Sequence, residues 1–189
     1  MSESRFIICP RTDKNIFITQ KTIQNYAATQ FSSRDPKNGY QKIVIKRLNG
    51  YSCLRFDHHP QPYLGILDNK LCLFEYPTEL TYFTVFLFEK RKLPDGEWSS
   101  IDPEDGQLNF EASEGFSFKA AFFHIHTKSF LSFNKINKTY EVVPVPLEFN
   151  INEIDKSSFH YNFGESLWCL EAVAKNWRLE YGTVAEIIK

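Results

Sequence analysis

The stretch Cys53-Leu54-Arg55-Phe56-Asp57-His58-His59-Pro60-Gln61-Pro62-Tyr63-Leu64-Gly65-Ile66 joins two short apolar runs through a polar link containing two prolines. Leu71-Cys72-Leu73-Phe74 and Phe83-Thr84-Val85-Phe86-Leu87-Phe88 follow it. Short runs rich in aromatic and β-branched residues, separated by turn formers, fit half-buried strands. The segment therefore predicts a unit of strand, link, strand, strand, loop and strand.

The same phrase recurs on both sides. Upstream, Phe6-Ile7-Ile8-Cys9 leads to Ile16-Phe17-Ile18, a weaker run over 26–31 and Lys42-Ile43-Val44-Ile45. Downstream, Phe122-Phe123-His124-Ile125 leads to Ser129-Phe130-Leu131-Ser132-Phe133, then Tyr140-Glu141-Val142-Val143 and Phe159-His160-Tyr161. The starts at Phe6, Cys53 and Phe122 are 47 and 69 residues apart. Most of the excess in the second interval lies in a Pro-, Gly- and acid-rich stretch over 90–114, read as an insertion. With a further run at 108–111, the chain offers thirteen candidate strands, and repetition at this spacing predicts an all-β body over 1–163.

Residues 164–189 read differently. Leu167, Leu170, Val173, Ala174, Trp177, Tyr181, Val184 and Ile188 recur at steps of three and four, the period of an amphipathic helix. Gly164 and Ser166 supply a turn and a cap. The expectation is a C-terminal helix docked on the β body through Leu167, Leu170, Trp177 and Trp168.

Three four-stranded units of this kind resemble the β-trefoil superfamily. Tyr63-Leu64-Gly65-Ile66 and Phe130-Leu131-Ser132-Phe133 are similar to the phrase of an aromatic, Leu and a small residue found in fascin-like and growth-factor or interleukin-like trefoils. The resemblance spans about residues 5–163. It implies a scaffold that binds proteins through its loops, as an actin-associated module or a leaderless signalling ligand. The Gln-x-Trp triplet of ricin-type lectins is missing, since Trp98, Trp168 and Trp177 lie elsewhere, so no sugar site carries over. An alternative reading resembles the pleckstrin-homology fold, a β-barrel capped by a helix, here over 158–177. That fold implies binding of phosphoinositides or peptides, with Lys90, Arg91 and Lys92 as the basic candidates.

Composition narrows the function further. The 189 residues are 42% apolar and include 18 Phe, enough to build a core. Lys and Arg number 22 against 23 Asp and Glu, with the signs interspersed, so the concentrated positive face that nucleic acid requires is not expected. No run approaches the ~18 apolar residues of a membrane span. The first residues lack the pattern of a secretory signal, which predicts a cytoplasmic protein with Cys9, Cys53, Cys72 and Cys169 reduced and mostly buried.

Candidate chemistry is sparse. The glycines form no phosphate-binding loop, and no cysteine or serine carries the context of a nucleophile. His124 and His126 would share a face about 7 Å apart if they alternated on one strand, with His160 as a third zinc ligand. The preferred reading is a hydrogen-bonded histidine beside a loop histidine. His58 and His59 read as a turn before Pro60. Asp102, Glu104, Asp105, Glu111 and Glu114 lie in the polar insertion as solvated carboxylates. Neither catalytic residues nor a cofactor are expected, and the function predicted is protein recognition. Trp98 anchors the expected surface, with Lys90, Arg91 and Asp102 around it, because an aromatic ring among polar loop residues is typical of an interface centre. The competing reading has Trp98 folding back to close its loop.

Overall fold

The computed structural model describes residues 5–12, 18, 42–57, 61–101, 115–146, 150, 159, 164–173 and 187–188. Its strands are β1 (Arg5–Pro10), β2 (Ile43–Leu48), β3 (Tyr51–Phe56), β4 (Tyr63–Leu67), β5 (Lys70–Phe74) and β6 (Phe83–Lys92). They continue with β7 (Ser99–Ser100), β8 (Phe116–His124), β9 (Ser129–Asn134), β10 (Thr139–Pro144), β11 (Trp168–Val173) and β12 (Ile187–Ile188). The protein is mainly β, with no helix of seven residues or more among the described residues. None is long and apolar enough to cross a membrane.

The pairings return to their starting strand. β1 pairs with β2, β2 with β3, β3 with β6, β6 with β8, β8 with β11 and β11 with β1, all antiparallel. The narrowest step is β3 to β6, a single pair between Ser52 and Phe83. Two hairpins branch from this ring, β4–β5 from β3 and β9–β10 from β8. β12 lies parallel to β5, and β7 lies antiparallel to the end of β6.

Turn chemistry sets the hairpins. Asn49 and Gly50 join β2 to β3 with φ of 52° and 82°, and Asp68 and Asn69 join β4 to β5 with φ of 53° and 60°. Two-residue loops with positive φ at both positions match the twist of their strands, and Asn, Asp and Gly tolerate that backbone best. In the β9–β10 turn, Asn134 Oδ1 accepts the amides of Ile136 and Asn137, at 3.0 Å each.

Strand alternation builds one core inside the ring and smaller clusters outside it. Phe6 and Ile8 of β1, Val85 and Leu87 of β6, Phe118, Ala120 and Phe122 of β8, and Trp168 and Leu170 of β11 enter the main core. Leu64, Ile66, Leu71, Leu73, Leu131 and Phe133 join them from the hairpins. Phe86, Phe88, Ala121 and Phe130 form a second cluster with Phe159 and Leu167, while Ile7, Cys9 and Cys169 form a third. Several strands are therefore apolar on both faces.

That two-sided burial overturns the expected C-terminal helix over 168–173. Trp168, Cys169 and Leu170 are all buried, in a strand flanked by β1 and β8. A continuous apolar run also satisfies helical spacing, and the pairing partners decide the outcome. The same strand removes the cap from the pleckstrin-like reading over these residues. Trp177 and the expected helix over 174–186 lie outside the described residues, and Ile187 and Ile188, expected in that helix, form β12 against β5.

Other expectations shift as well. Lys90-Arg91-Lys92, read as the start of the polar insertion, is the end of β6 and pairs with Phe118, Ser117 and Phe116. Phe159 is helical and not part of a strand. The expected strands over 26–31 and 108–111, and most of that around Ile16, lie outside the described residues. Ile18 is buried in the main core, its amide bonded to the Ile8 carbonyl at 2.9 Å.

Gly65 shows how tightly the β4–β5 hairpin seats. A Cβ there would stand 2.5 Å from the Phe74 ring and 2.7 Å from the Leu80 carbonyl. Gly65→Ala is expected to cost about 1–3 kcal/mol through overpacking. Urea titration should show a lower midpoint with an unchanged slope, and an unchanged midpoint would mean that the hairpin yields freely.

Candidate interaction surface

Lys90 and Arg91 stand on the final turns of the β6 ladder, facing the start of β8. A β-bulge between Leu87 and Glu89 makes Glu89, not Phe88, the residue opposite Lys119. An extra residue in one strand re-aims the side chains beyond it. Here it brings Glu89 Oε2 within 3.1 Å of Lys119 Nζ. The chain then turns through Leu93 to Asp95 and comes back, with Ser99 and Ser100 pairing with Lys90 and Glu89. Ser99 Oγ donates to the Lys90 carbonyl at 3.2 Å.

Trp98 precedes that returning strand and is half-buried against two cations. The Arg91 guanidinium carbon lies 4.6 Å from the ring centre and Lys119 Nζ lies 4.4 Å from it. Cation–π contacts contribute about 0.5–1 kcal/mol each at exposed positions. The ring is therefore held on the outer surface of the β6–β8 pair. Trp98, Arg91 and Lys119 come together, whereas exposed Lys90 stands opposite Phe118 and so projects from the other face of β6. Asp102 lies outside the described residues. Lys119 and Glu89 were not anticipated from sequence, because only the bulged register brings them together.

The histidine expectation is resolved by position. His124 ends β8 while His126 falls in the following turn, so the two do not alternate along one strand. His124 is buried, with Nε2 2.7 Å from the Leu80 carbonyl and Nδ1 2.7 Å from Thr127 Oγ1. A carbonyl only accepts, so Nε2 carries the proton and Nδ1 accepts from Thr127. Both nitrogens are thus engaged within the protein. No group of three His, Cys, Asp or Glu suited to a metal occurs among the described residues. His58, His59 and His160 lie outside them.

The thiols differ in setting. Cys9, Cys53 and Cys169 are buried, whereas Cys72 is half-buried, its Sγ donating to the Lys70 carbonyl. Burial pushes the Cys53 thiol above its ordinary value, against smaller opposite effects of Thr81 and Lys46. Such a thiol is a poor nucleophile at neutral pH.

Burial also pushes His124 below its ordinary value of 6.5, outweighing the Leu80 hydrogen bond, with His126 adding a further lowering. The unfolded chain therefore takes up a proton first as pH falls through 6.5, and folding stability declines on the acid side. Urea unfolding between pH 7.5 and 5 should show this loss, and His124→Gln should flatten it. Equal pH slopes in the two proteins would remove His124 from the account.

The chain matches no family model, no curated protein and no solved structure.

Proposed function

We propose that the chain is a non-enzymatic protein-recognition module on a β-trefoil-like scaffold. In this reading each of three units gives its first and fourth strands to the ring: β1 and β2, β3 and β6, β8 and β11. The second and third units add the hairpins β4–β5 and β9–β10. The ring of pairings supports it, as does the matching burial of Tyr63-Leu64-Gly65-Ile66 and Phe130-Leu131-Ser132-Phe133. The third unit closes with β11, in place of the strand expected at 159–161.

Recognition falls to the surface around Trp98, with Arg91 and Lys119 against the ring, Lys90 on the other face of the same strand end and Asp102 following in sequence. The observation that carries this reading is that Trp98 sits on the outer face of the sheet, with Arg91 and Lys119 both against its ring. A half-exposed indole framed by cations offers apolar area together with charged hydrogen-bond donors, the combination enriched at binding hot spots. Protein fold alone does not assign function, so the weight rests on this surface.

Trp98→Ala should remove the indole's contacts with the two cations at a cost of about 1–2 kcal/mol. For a chain of this length that corresponds to a melting temperature lower by roughly 2–8 °C. Cross-linking in cells followed by mass spectrometry should lose the partner in Trp98→Ala and weaken it in Arg91→Glu. A partner retained by both variants, together with a much larger fall in melting temperature, would make Trp98 a structural residue.

A further inference from the structure

Cys9 and Cys169 stand directly opposite each other in the β1–β11 ladder. These residues are 160 positions apart in the chain, and Cys9 Sγ lies 3.8 Å from the Cys169 carbonyl oxygen. Both belong to the same buried outer cluster, so their side chains leave the sheet on one face. Directly opposed residues in antiparallel strands have Cα atoms about 4.5–5.5 Å apart, within the span that a disulfide bridges. In sequence the two thiols lie near opposite ends of the chain, and only the β1–β11 pairing brings them together.

We infer that Cys9 and Cys169 form a site of reversible oxidation, a covalent latch across the seam where the first strand of the ring meets the last. The oxidant is a peroxide, small enough to reach Cys169, whose exposure is 7% against 0% for Cys9. The Cys169 thiol gives up its proton as its sulfur attacks one peroxide oxygen, the O–O bond breaks, and Cys169 becomes a sulfenic acid while the other oxygen takes that proton and leaves as water. Cys9 sulfur then attacks the Cys169 sulfur, the S–O bond breaks, and a second water leaves. Two thiols are oxidised and one peroxide is reduced to two waters.

The ladder geometry accounts for reversibility. The Arg11 amide donates to the Leu167 carbonyl at 3.1 Å, and hydrogen-bonded pairs alternate along an antiparallel ladder. Cys9 and Cys169, two positions along, form a hydrogen-bonded pair, whose side chains diverge more than those of the intervening pairs. Bridging them takes up strain, and strained disulfides are readily reduced.

The test treats the intact protein with hydrogen peroxide, alkylates remaining thiols and maps the peptides without reduction. A Cys9–Cys169 cross-link is expected, with a higher melting temperature that dithiothreitol reverses. Cys72→Ala should leave both effects unchanged, and Cys9→Ala should abolish them. Should Cys9→Ala fail to fold, the map of the unsubstituted protein decides alone. Recovery of both thiols in alkylated form, oxidation that stops at sulfinic acid on Cys169, or cross-links confined to Cys72 would each overturn the inference.

Discussion

The circuit of strand pairings closes through the antiparallel seam between β1 and β11. Its six pairs run from Arg5 opposite Val173 to Pro10 opposite Trp168, joining segments from near the two ends of the chain. Bringing such distant segments together carries a loop-closure cost, but one that grows only logarithmically with length. Burial offsets it. Phe6 and Ile8 meet Trp168 and Leu170 in the main core, and the Trp168 indole donates to the Leu131 carbonyl at 3.0 Å. That bond ties the β9–β10 hairpin to the last strand of the ring, so the seam also orders a branch that it does not directly pair with. Phe122 and Tyr140 flank the same indole, each with ring centres 6.3 Å away.

Buried polar groups fasten elements that backbone pairing leaves apart. Arg5 Nε lies 2.6 Å from Asp57 Oδ2, joining the start of β1 to the end of β3 across the intervening β2. Arg55 adds a longer contact of 3.9 Å to the same carboxylate, and the Asp57 amide donates to the Lys42 carbonyl. His124 does comparable work elsewhere, linking the end of β8 to Leu80 just before β6. A charge or ring nitrogen buried without a partner would be costly, so these contacts penalise misplaced elements more than they add net stability.

Much of the all-β architecture was legible because β3, β4, β5, β9 and β10 begin and end close to their apolar runs. Asn49-Gly50 is a further signal that the apolar runs alone do not use, since that dipeptide marks a two-residue hairpin. The misreadings share a cause. In β11, burial on both faces erases alternation and leaves a run that fits three- and four-residue spacing equally well. In β6, the charges of Lys90, Arg91 and Lys92 suggest a turn, although a strand projecting at the end of a sheet can carry exposed cations. His124 and His126 alternate in sequence, but the strand ends between them. Each error concerns where a strand finds its neighbours, which a single segment does not encode.

The candidate surface and the cysteine pair belong to one transverse row of the sheet. Glu89 of β6 stands opposite Lys119 of β8, Lys119 opposite Cys169 of β11, and Cys169 opposite Cys9 of β1. The bulge in β6 fixes one end of this row, since without it Phe88 would face Lys119 and the ion pair would be lost. The seam fixes the other end. Trp98 rests on Lys119 near the middle, so its position depends on both the local bulge and the closure of the whole ring. An indole placed in this way needs no room in the core, which the aromatic side chains of the ring and hairpins already fill. Its exposed area therefore stays at the surface, while the ion pair with Glu89 holds Lys119 against the ring.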